Sequence, residues 1–555
     1  MMKIKSPIKI QSTRMLPIFL SAAIIGGCMP AAAMAARDGK ILQTSVSQAP
    51  AAGEDYIPLR ALCEWVGIPI EWDEAERTAT AAKDKRVLSF VLAESGVPAA
   101  DLEGTPLAPD EVILLDSTAY IKRETAAKAF GIDAAWHGGK LEIPSGDLAA
   151  RARAFVTQIQ KDNLAGADAL ANGAFKEAGL PAGTLELVKQ LARLPIAKER
   201  IESTGVHRTV ILTIESPQMN FDLEVRFDKD GYVDDFYAGM AFEGYRPPSY
   251  DKPGAYEERK LVIGTGGHAV EGTLTVPGGQ GPFPLMILVQ GDGELDRDST
   301  VFAQKPFRDL AVGLANHRIA TLRMDKTIRE HFAQLNGHYT IGDEFVEPAL
   351  AAVRAARLDP AIDPGRIYAA GHSRGGWMIP RLLAKDTAGL IKGAVVLAGA
   401  DPRYMEIDSY EHEELGGMIP KEQLAYYREQ LELVKAESFD PKAPPAAFEL
   451  PPNPYWWHDI RSYAPADEAK IRSAAMLVLQ GEEDFQVPLA SLNGWKEVYA
   501  GNSAVTYKSY PKLTHLFTEG KLENGIQNYK VPANVPDTVI ADIAGWINGS
   551  AAALK

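Results

Sequence analysis

Gly371-His372-Ser373-Arg374-Gly375-Gly376 is the stretch of this chain best equipped for chemistry. A serine at the G-x-S-x-G spacing is exposed as a nucleophile when the backbone turns sharply beneath it from a strand into a helix. Both flanks fit that requirement. Arg366-Ile-Tyr-Ala-Ala370 is β-branched, aromatic and small, as a short buried strand is, and Trp377, Met378, Leu382 and Leu383 come after it at helical spacing. The glycines permit a tight fold, and a helix N-terminus beside the serine favours negative charge. A plain strand-to-helix turn would use some of the same residues, but strand, elbow and helix together favour the nucleophile. Pro380 falls inside the presumed helix, where it is expected to kink or distort the second turn.

A serine needs a base, and the base needs an orienting partner. With this elbow the chain order should be Ser, acid, His. The apolar run Ala475–Gln480 leads into Gly481-Glu482-Glu483-Asp484, and Val505–Tyr510 leads into Pro511-Lys-Leu-Thr-His515. Asp484 and His515 therefore stand in the loops after two successive strands, as acid and base. Glu482 and Glu483 are rival acids, less suited because Asp484 comes nearest to the Val487-Pro488 that opens the next element. The oxyanion donors are expected to be the backbone N–H of Arg374 and one from the loop Gly291-Asp292-Gly293-Glu294, with Asp292 and Gly293 as alternatives. A metal loop through Asp292, Asp296 and Asp298 lacks the ligands and final Glu of an EF-hand, so no metal is expected there.

The elements that must hold these groups alternate between strand and helix from about 255 to 550, which predicts an α/β fold with a doubly wound, mostly parallel sheet. Candidate strands are 258–263, 269–276, 284–290, 318–324, 366–370, 394–398, 475–480 and 505–510, with helices at 347–357 and 539–548 among those between. An insertion at about 402–465 carries a charged helical stretch, Lys421–Glu437, and Pro454-Tyr455-Trp456-Trp457-His458. Such an insertion forms a cap. Tyr455 and Trp456, with His372, are the pocket candidates, while Trp457 suits ordinary packing.

The ensemble Gly291-Asp-Gly-Glu-Leu-Asp-Arg-Asp298, Gly371–Gly376, Pro454-Tyr-Trp456, Leu479–Asp484 and Thr514-His-Leu-Phe517 resembles the bacterial α/β-hydrolases of the dienelactone hydrolase and serine aminopeptidase-like group, above all their secreted esterases. The resemblance implies hydrolysis of carboxylic esters with short acyl chains and no cofactor. Two departures stand out. Asp325-Lys326-Thr327-Ile328 lacks the family's Arg-Gly after Asp-Lys, and Asp292 replaces a Ser, placing a carboxylate near the oxyanion site. A peptidase with the same triad is one alternative; an inactive envelope-binding protein, with Asp292 as its best support, is the other.

The N-terminal part differs in kind. Tyr56-Ile57 through Gly67-Ile68 to Trp72 recurs, 64 residues on, as Tyr120-Ile121 through Gly131-Ile132 to Trp136. Each copy reads as strand, helix and strand, burying its aromatics against its own helices. Tyr56-Ile-Pro-Leu-Arg60 and Glu71-Trp-Asp73 are similar to copper amine oxidase N-terminal-like domains, assigned here to 40–147. His137 is the sole histidine before residue 206 after the leader, so no copper ligand set is read, and an envelope-adhesion or spacer role is expected. Residues 148–240 read as a second small α+β domain, resembling one of unknown function that precedes secreted hydrolases. Helical spacing at 149–160 and 185–194 leads to strands at 209–214 and 221–227, with a turn at 228–231, and the Pro/Gly-rich stretch 241–254 reads as a linker.

Residues 1–35 have the basic start, short apolar run and small-residue end of a secretory signal. Cleavage after Ala33-Met34-Ala35 would release the protein without a transmembrane span, whereas Cys28, in a lipobox-like setting, would anchor it. Cys63 is left without a partner and reads as a buried small hydrophobe. A net charge of −15 argues against a nucleic-acid partner. A secreted or envelope-associated protein acting on a small ester is the resulting expectation.

Overall fold

A computed structural model describes residues 55–549 apart from 67, 74, 84–85, 92–98, 116–117, 138–139, 144–145, 192–193, 218, 336 and 406–420. The leader 1–35, with Cys28 and the Ala33-Met34-Ala35 site, lies outside the described residues, as does Gly67. The chain forms two units: one runs to Ala241 and takes in the short helix Phe332–Leu335, and the other holds Phe242–His331 and the chain from Gly337.

In the N-terminal unit both copies of the repeat are strand, helix, strand: Tyr56–Pro58, Leu59–Val66 and Ile70–Asp73, then Thr118–Lys122, Arg123–Phe130 and Ala135–His137. The two opening strands pair antiparallel, Ile57 opposite Ile121. Gly131 ends the second helix at φ 66°, its N–H returning to Ala127 O at 2.8 Å. The aromatics are not all buried as expected. Trp72 is 46% exposed, because its strand forms the edge of a five-stranded sheet whose other members lie within Thr78–Pro106. Cys63 is fully buried.

The helix Leu148–Gln160 begins where the Asp147 side chain accepts Ala150 N–H at 3.0 Å. Later in this unit comes a four-stranded antiparallel sheet, Ile196–Ser203, Arg208–Ile214, Phe221–Phe227 and Val233–Met240. The helix and this sheet share one core with the repeat, Leu59 and Leu62 lying in the same buried cluster as Phe155 and Phe236.

The second unit is built on eight strands: β1 (Tyr256–Ile263), β2 (Val270–Pro277), β3 (Phe283–Val289), β4 (Ala320–Met324), β5 (Ile362–His372), β6 (Ile391–Leu397), β7 (Ala475–Gly481) and β8 (Val505–Tyr510). Their order is 1-2-4-3-5-6-7-8. β2 is antiparallel to both neighbours, and β3 to β8 run parallel. β3, β4 and almost all of β6 and β7 are buried on both faces, which is why they read as unbroken apolar runs rather than alternations. Edge strand β1 carries Glu257, Glu258, Arg259 and Lys260, charges that discourage further pairing. This is the α/β-hydrolase fold.

The helical stretch after the elbow is distorted at its second turn, as Pro380 leads one to expect: it stops at Trp377 and restarts as Ile379–Lys385, placing Pro380 in a first turn, where a missing N–H costs nothing. One local expectation changes. The stretch read as a linker is held down from Phe242 onwards: Tyr245 donates to Asp309 at 2.7 Å and Tyr250 to Val535 O at 2.6 Å. Between β6 and β7 the insertion contributes helices Lys421–Lys435, Pro454–Ile460 and Pro465–Glu468.

The loop after β3 is braced by ions. Arg297 donates to Glu271 at 2.7 Å and pairs with Asp325, whose carboxylate also accepts Arg297 N–H at 2.8 Å. Glu271 and Asp325 are both buried. Arg297→Met should therefore destabilise this unit by about 3–5 kcal/mol, since it leaves the buried Asp325 carboxylate uncompensated and Glu271 with Lys260 alone, at 3.2 Å. Urea unfolding of the variant beside the wild type checks this; a change within about 0.5 kcal/mol would show that the brace contributes little.

Candidate active site

Ser373 comes directly after the last residue of the central strand β5 and takes φ 54°, ψ −122°, a conformation that an L-residue adopts only under constraint. The constraints are visible. Its N–H donates to Leu397 O on β6 at 2.8 Å, and its carbonyl accepts Trp377 N–H at 3.0 Å to open the helix. The glycines are sterically required. A Cβ on Gly371 would stand 2.2 Å from Gly375 O, and one on Gly375 2.3 Å from Gln290 O. The elbow thus presses against the end of β3, and a Cβ on Gly291 would lie 3.0 Å from Ser373 Cβ.

Asp484 and His515 meet at the ends of β7 and β8. His515 Nδ1 lies 2.8 Å from Asp484 Oδ2, with both residues buried. The carboxylate is saturated: Gln486 N–H and Val487 N–H reach Oδ1 at 2.8 Å each, and Gln480 Nε2 reaches Oδ2 at 3.0 Å. Nδ1 therefore donates to a fixed acceptor, which leaves Nε2 as the basic edge. The rival acids face elsewhere, Glu482 accepting from Ser509 Oγ and Glu483 from Leu522 N–H, at 2.7 Å each. Gly481 makes room for the histidine loop, since a Cβ there would meet Leu513 O at 2.3 Å.

His372 ties the elbow to the base. Its Nε2 lies 2.8 Å from His515 O, and a carbonyl can only accept, so Nε2 carries the proton. The ring lies 4.6 Å from the His515 ring and borders an apolar cavity with Phe307, Leu397 and Phe517. Burial, reinforced by the neighbouring His515, pushes its pKa down to about 3. Among the described residues its one polar contact is thus a support for His515.

On the oxyanion side, Arg374 opens the helix, so its N–H has no acceptor within that helix. Its guanidinium pairs with the Asp292 carboxylate and lies over Trp377 and Trp456, 5.6 and 5.4 Å from the ring centroids. The Asp292 carboxylate is therefore matched by a cation from the residue after Ser373. Asp292, Asp296 and Asp298 turn to separate partners: Asp296 accepts from Thr300 and Asp298 N–H, and Asp298 pairs with Lys305 and Arg323. Gly293 takes φ 88° in the same loop.

Of the cap residues, Trp457 is buried with its N–H on Pro451 O at 2.8 Å. Trp456 is also buried, its N–H donating to Glu344 at 2.9 Å, while Tyr455 is half-buried, 5.5 Å from the His338 ring. Neither Glu344 nor its partner Lys326 was picked out by type and spacing. The one available signal was the Asp325-Lys326 pair at the end of a buried strand, a place where charged residues need a reason to be. Burial raises the Glu344 carboxyl above its ordinary range, against the pull of Lys326.

The second unit thus has the α/β-hydrolase fold, with Ser373 at the elbow after its central strand. Along 329 residues the chain is 29% identical to Esterase EstD of Thermotoga maritima, covering 58% of this chain and 75% of that one. Residues 36–144 match the Copper amine oxidase N-terminal domain family. Among solved structures, Est1E from Butyrivibrio proteoclasticus is 19% identical with a TM-score of 0.33, over 51% of this chain and 99% of that one. Dienelactone hydrolase from Anabaena variabilis is 14% identical with a TM-score of 0.33, over 53% and 98%.

The His372 pKa has a signed consequence. Above pH 6.5 the ring is neutral in both folded and unfolded chains. Between 6.5 and about 3 the unfolded chain binds a proton that the folded one refuses, so stability is lost as pH falls through that window. The loss attributable to this residue is up to about 1.4 kcal/mol per pH unit. His372→Gln should therefore show a shallower decline between pH 6.5 and 4 in denaturant titrations. Parallel curves would contradict the assignment.

Proposed function

We propose that this chain is an exported serine carboxylesterase acting on short-acyl esters. Ser373 Oγ attacks the ester carbonyl while His515 Nε2 takes its proton, and Asp484 holds the imidazole and stabilises the imidazolium. Backbone N–H groups of Arg374 and the 291–293 loop receive the oxyanion. Collapse of the tetrahedral intermediate expels the alcohol, which takes the proton from His515. Water, deprotonated by the same histidine, then cleaves the acyl-enzyme, releasing the carboxylic acid and restoring Ser373.

The observation that carries this reading is the buried Asp484–His515 pair, 2.8 Å apart, whose histidine backbone is held by the residue preceding the nucleophile. Similarity to Esterase EstD supports esters over peptides, and the Arg374–Asp292 pair removes the main argument for an inactive relative. The short-acyl preference rests on the resemblance to secreted esterases. Export, with anchoring through Cys28 or release, rests on the leader sequence; among the described residues no helix is long and apolar enough to cross a membrane.

A chain-length series of p-nitrophenyl esters tests the proposal. Acetate and butyrate should be hydrolysed faster than decanoate, and Ser373→Ala should lose at least about 10⁴-fold in kcat. Cleavage of aminoacyl anilides with esters untouched would make the protein a peptidase. Failure of both, with Ser373 unlabelled by a fluorophosphonate, would remove the enzymatic reading.

A further inference from the structure

A chain of buried contacts encircles the loop after β3. Lys326 Nζ donates to Gly291 O at 2.7 Å and to Glu344 Oε1. The other oxygen of Glu344 accepts the Trp456 indole N–H, and Trp456 lies under the Arg374 guanidinium, which pairs with Asp292. Lys326 and Glu344 are both nearly inaccessible to solvent. Such a pair gives little stability relative to an apolar one, so its value lies in the groups it positions.

Peptide geometry identifies those groups. The Gly291 carbonyl and the Asp292 N–H belong to one planar trans peptide and point in opposite directions. A lysine drawing the carbonyl one way fixes the N–H the other way. Gly291 stands beside the proposed nucleophile, where a Cβ would come 3.0 Å from Ser373 Cβ and 3.5 Å from its Oγ. Among the described residues the Asp292 N–H meets no acceptor. A glycine-flanked peptide turns over easily, and nothing in the local sequence would stop it.

We propose, building on the serine-esterase reading, that Lys326 is the residue that aims the Asp292 N–H into the oxyanion hole. Glu344 holds Lys326, and Trp456 anchors Glu344 from the cap insertion. This selects Asp292 over Gly293 as the second donor. It also makes the Asp-Lys sequence after β4 a positioning device rather than part of the catalytic machinery that touches substrate.

Kinetics with p-nitrophenyl acetate, beside binding of phenylboronic acid, test this on the full protein. A boronate forms a tetrahedral adduct on serine and so reports on the oxyanion hole directly. Lys326→Met should lower kcat by about 10²–10³-fold, as loss of one donor does, with KM within about threefold. Boronate affinity should fall in parallel. Trp456→Phe, which keeps an aromatic ring but removes the N–H, should give the same signature more weakly. Should Lys326→Met not fold because Glu344 is stranded, Lys326→Met/Glu344→Gln carries the same expectation. Wild-type kcat and boronate affinity in a folded Lys326 variant, or a change confined to KM, would overturn the proposal while leaving the esterase reading intact. A wild-type protein that neither hydrolyses the ester nor labels with a fluorophosphonate would overturn both.

Discussion

Ser373 sits at φ 54°, a backbone state that costs about 1–3 kcal/mol and persists only where its surroundings leave no other choice. Around it, β5 is paired on both sides, its serine N–H is committed to Leu397 O, and the elbow's glycines touch backbone at 2.2–2.3 Å where a Cβ would be. Because the strain is borne by the central strand of a parallel sheet, the other groups can be supplied only by loops at the same end of neighbouring strands. That is where the chain has them: Gly291 after β3, Lys326 after β4, Asp484 after β7 and His515 after β8.

Loops at that end would be free to wander without internal supports, and the supports share one design. Each is a long polar side chain buried at a strand end and spent on backbone. Gln290 donates to Asp296 O at 3.2 Å, Gln480 to Val487 O at 3.0 Å, His372 to His515 O at 2.8 Å and Lys326 to Gly291 O at 2.7 Å. A buried donor left without a carbonyl costs about 1–3 kcal/mol, so a displaced loop is penalised as heavily as a lost core contact. The positions of the reacting groups are thereby tied to the stability of the sheet.

These relations were unequally visible in the sequence. The elbow, Asp484 and His515 could be named because each depends on local order: a buried strand, then a turn of stated residue types. The strands of the second unit's sheet were legible too, inner ones such as β3, β4, β6 and β7 through apolar runs that reflect burial on both faces. The small outer strands were not. Ile196–Ser203 is exposed along nearly its whole length and is a strand only because Arg208–Ile214 pairs with it. Pro380 does interrupt the helical stretch, as its ring dictates, whereas Trp72 is exposed because the repeat does not close over all its own aromatics. Lys326 and Glu344 lay beyond any local rule, since their partners stand 35 and 112 residues away.

Charge explains why the departures from the resembling family's pattern are tolerable. A lone carboxylate at residue 292 would oppose an oxyanion a few ångströms away, in surroundings too dry to screen it. Here Asp292 and Glu344 each have a cation from a different element, Arg374 for Asp292 and Lys326 for Glu344. Paired charges cancel at a distance, so neither Asp292 nor Glu344 opposes the field that the N-terminus of the helix opened by Arg374 and the fixed peptide N–H groups set up at Ser373. Asp292 and Arg374 thus work as one unit: the acid is acceptable because the residue after Ser373 is an arginine with two indoles, Trp377 and Trp456, to hold its plane.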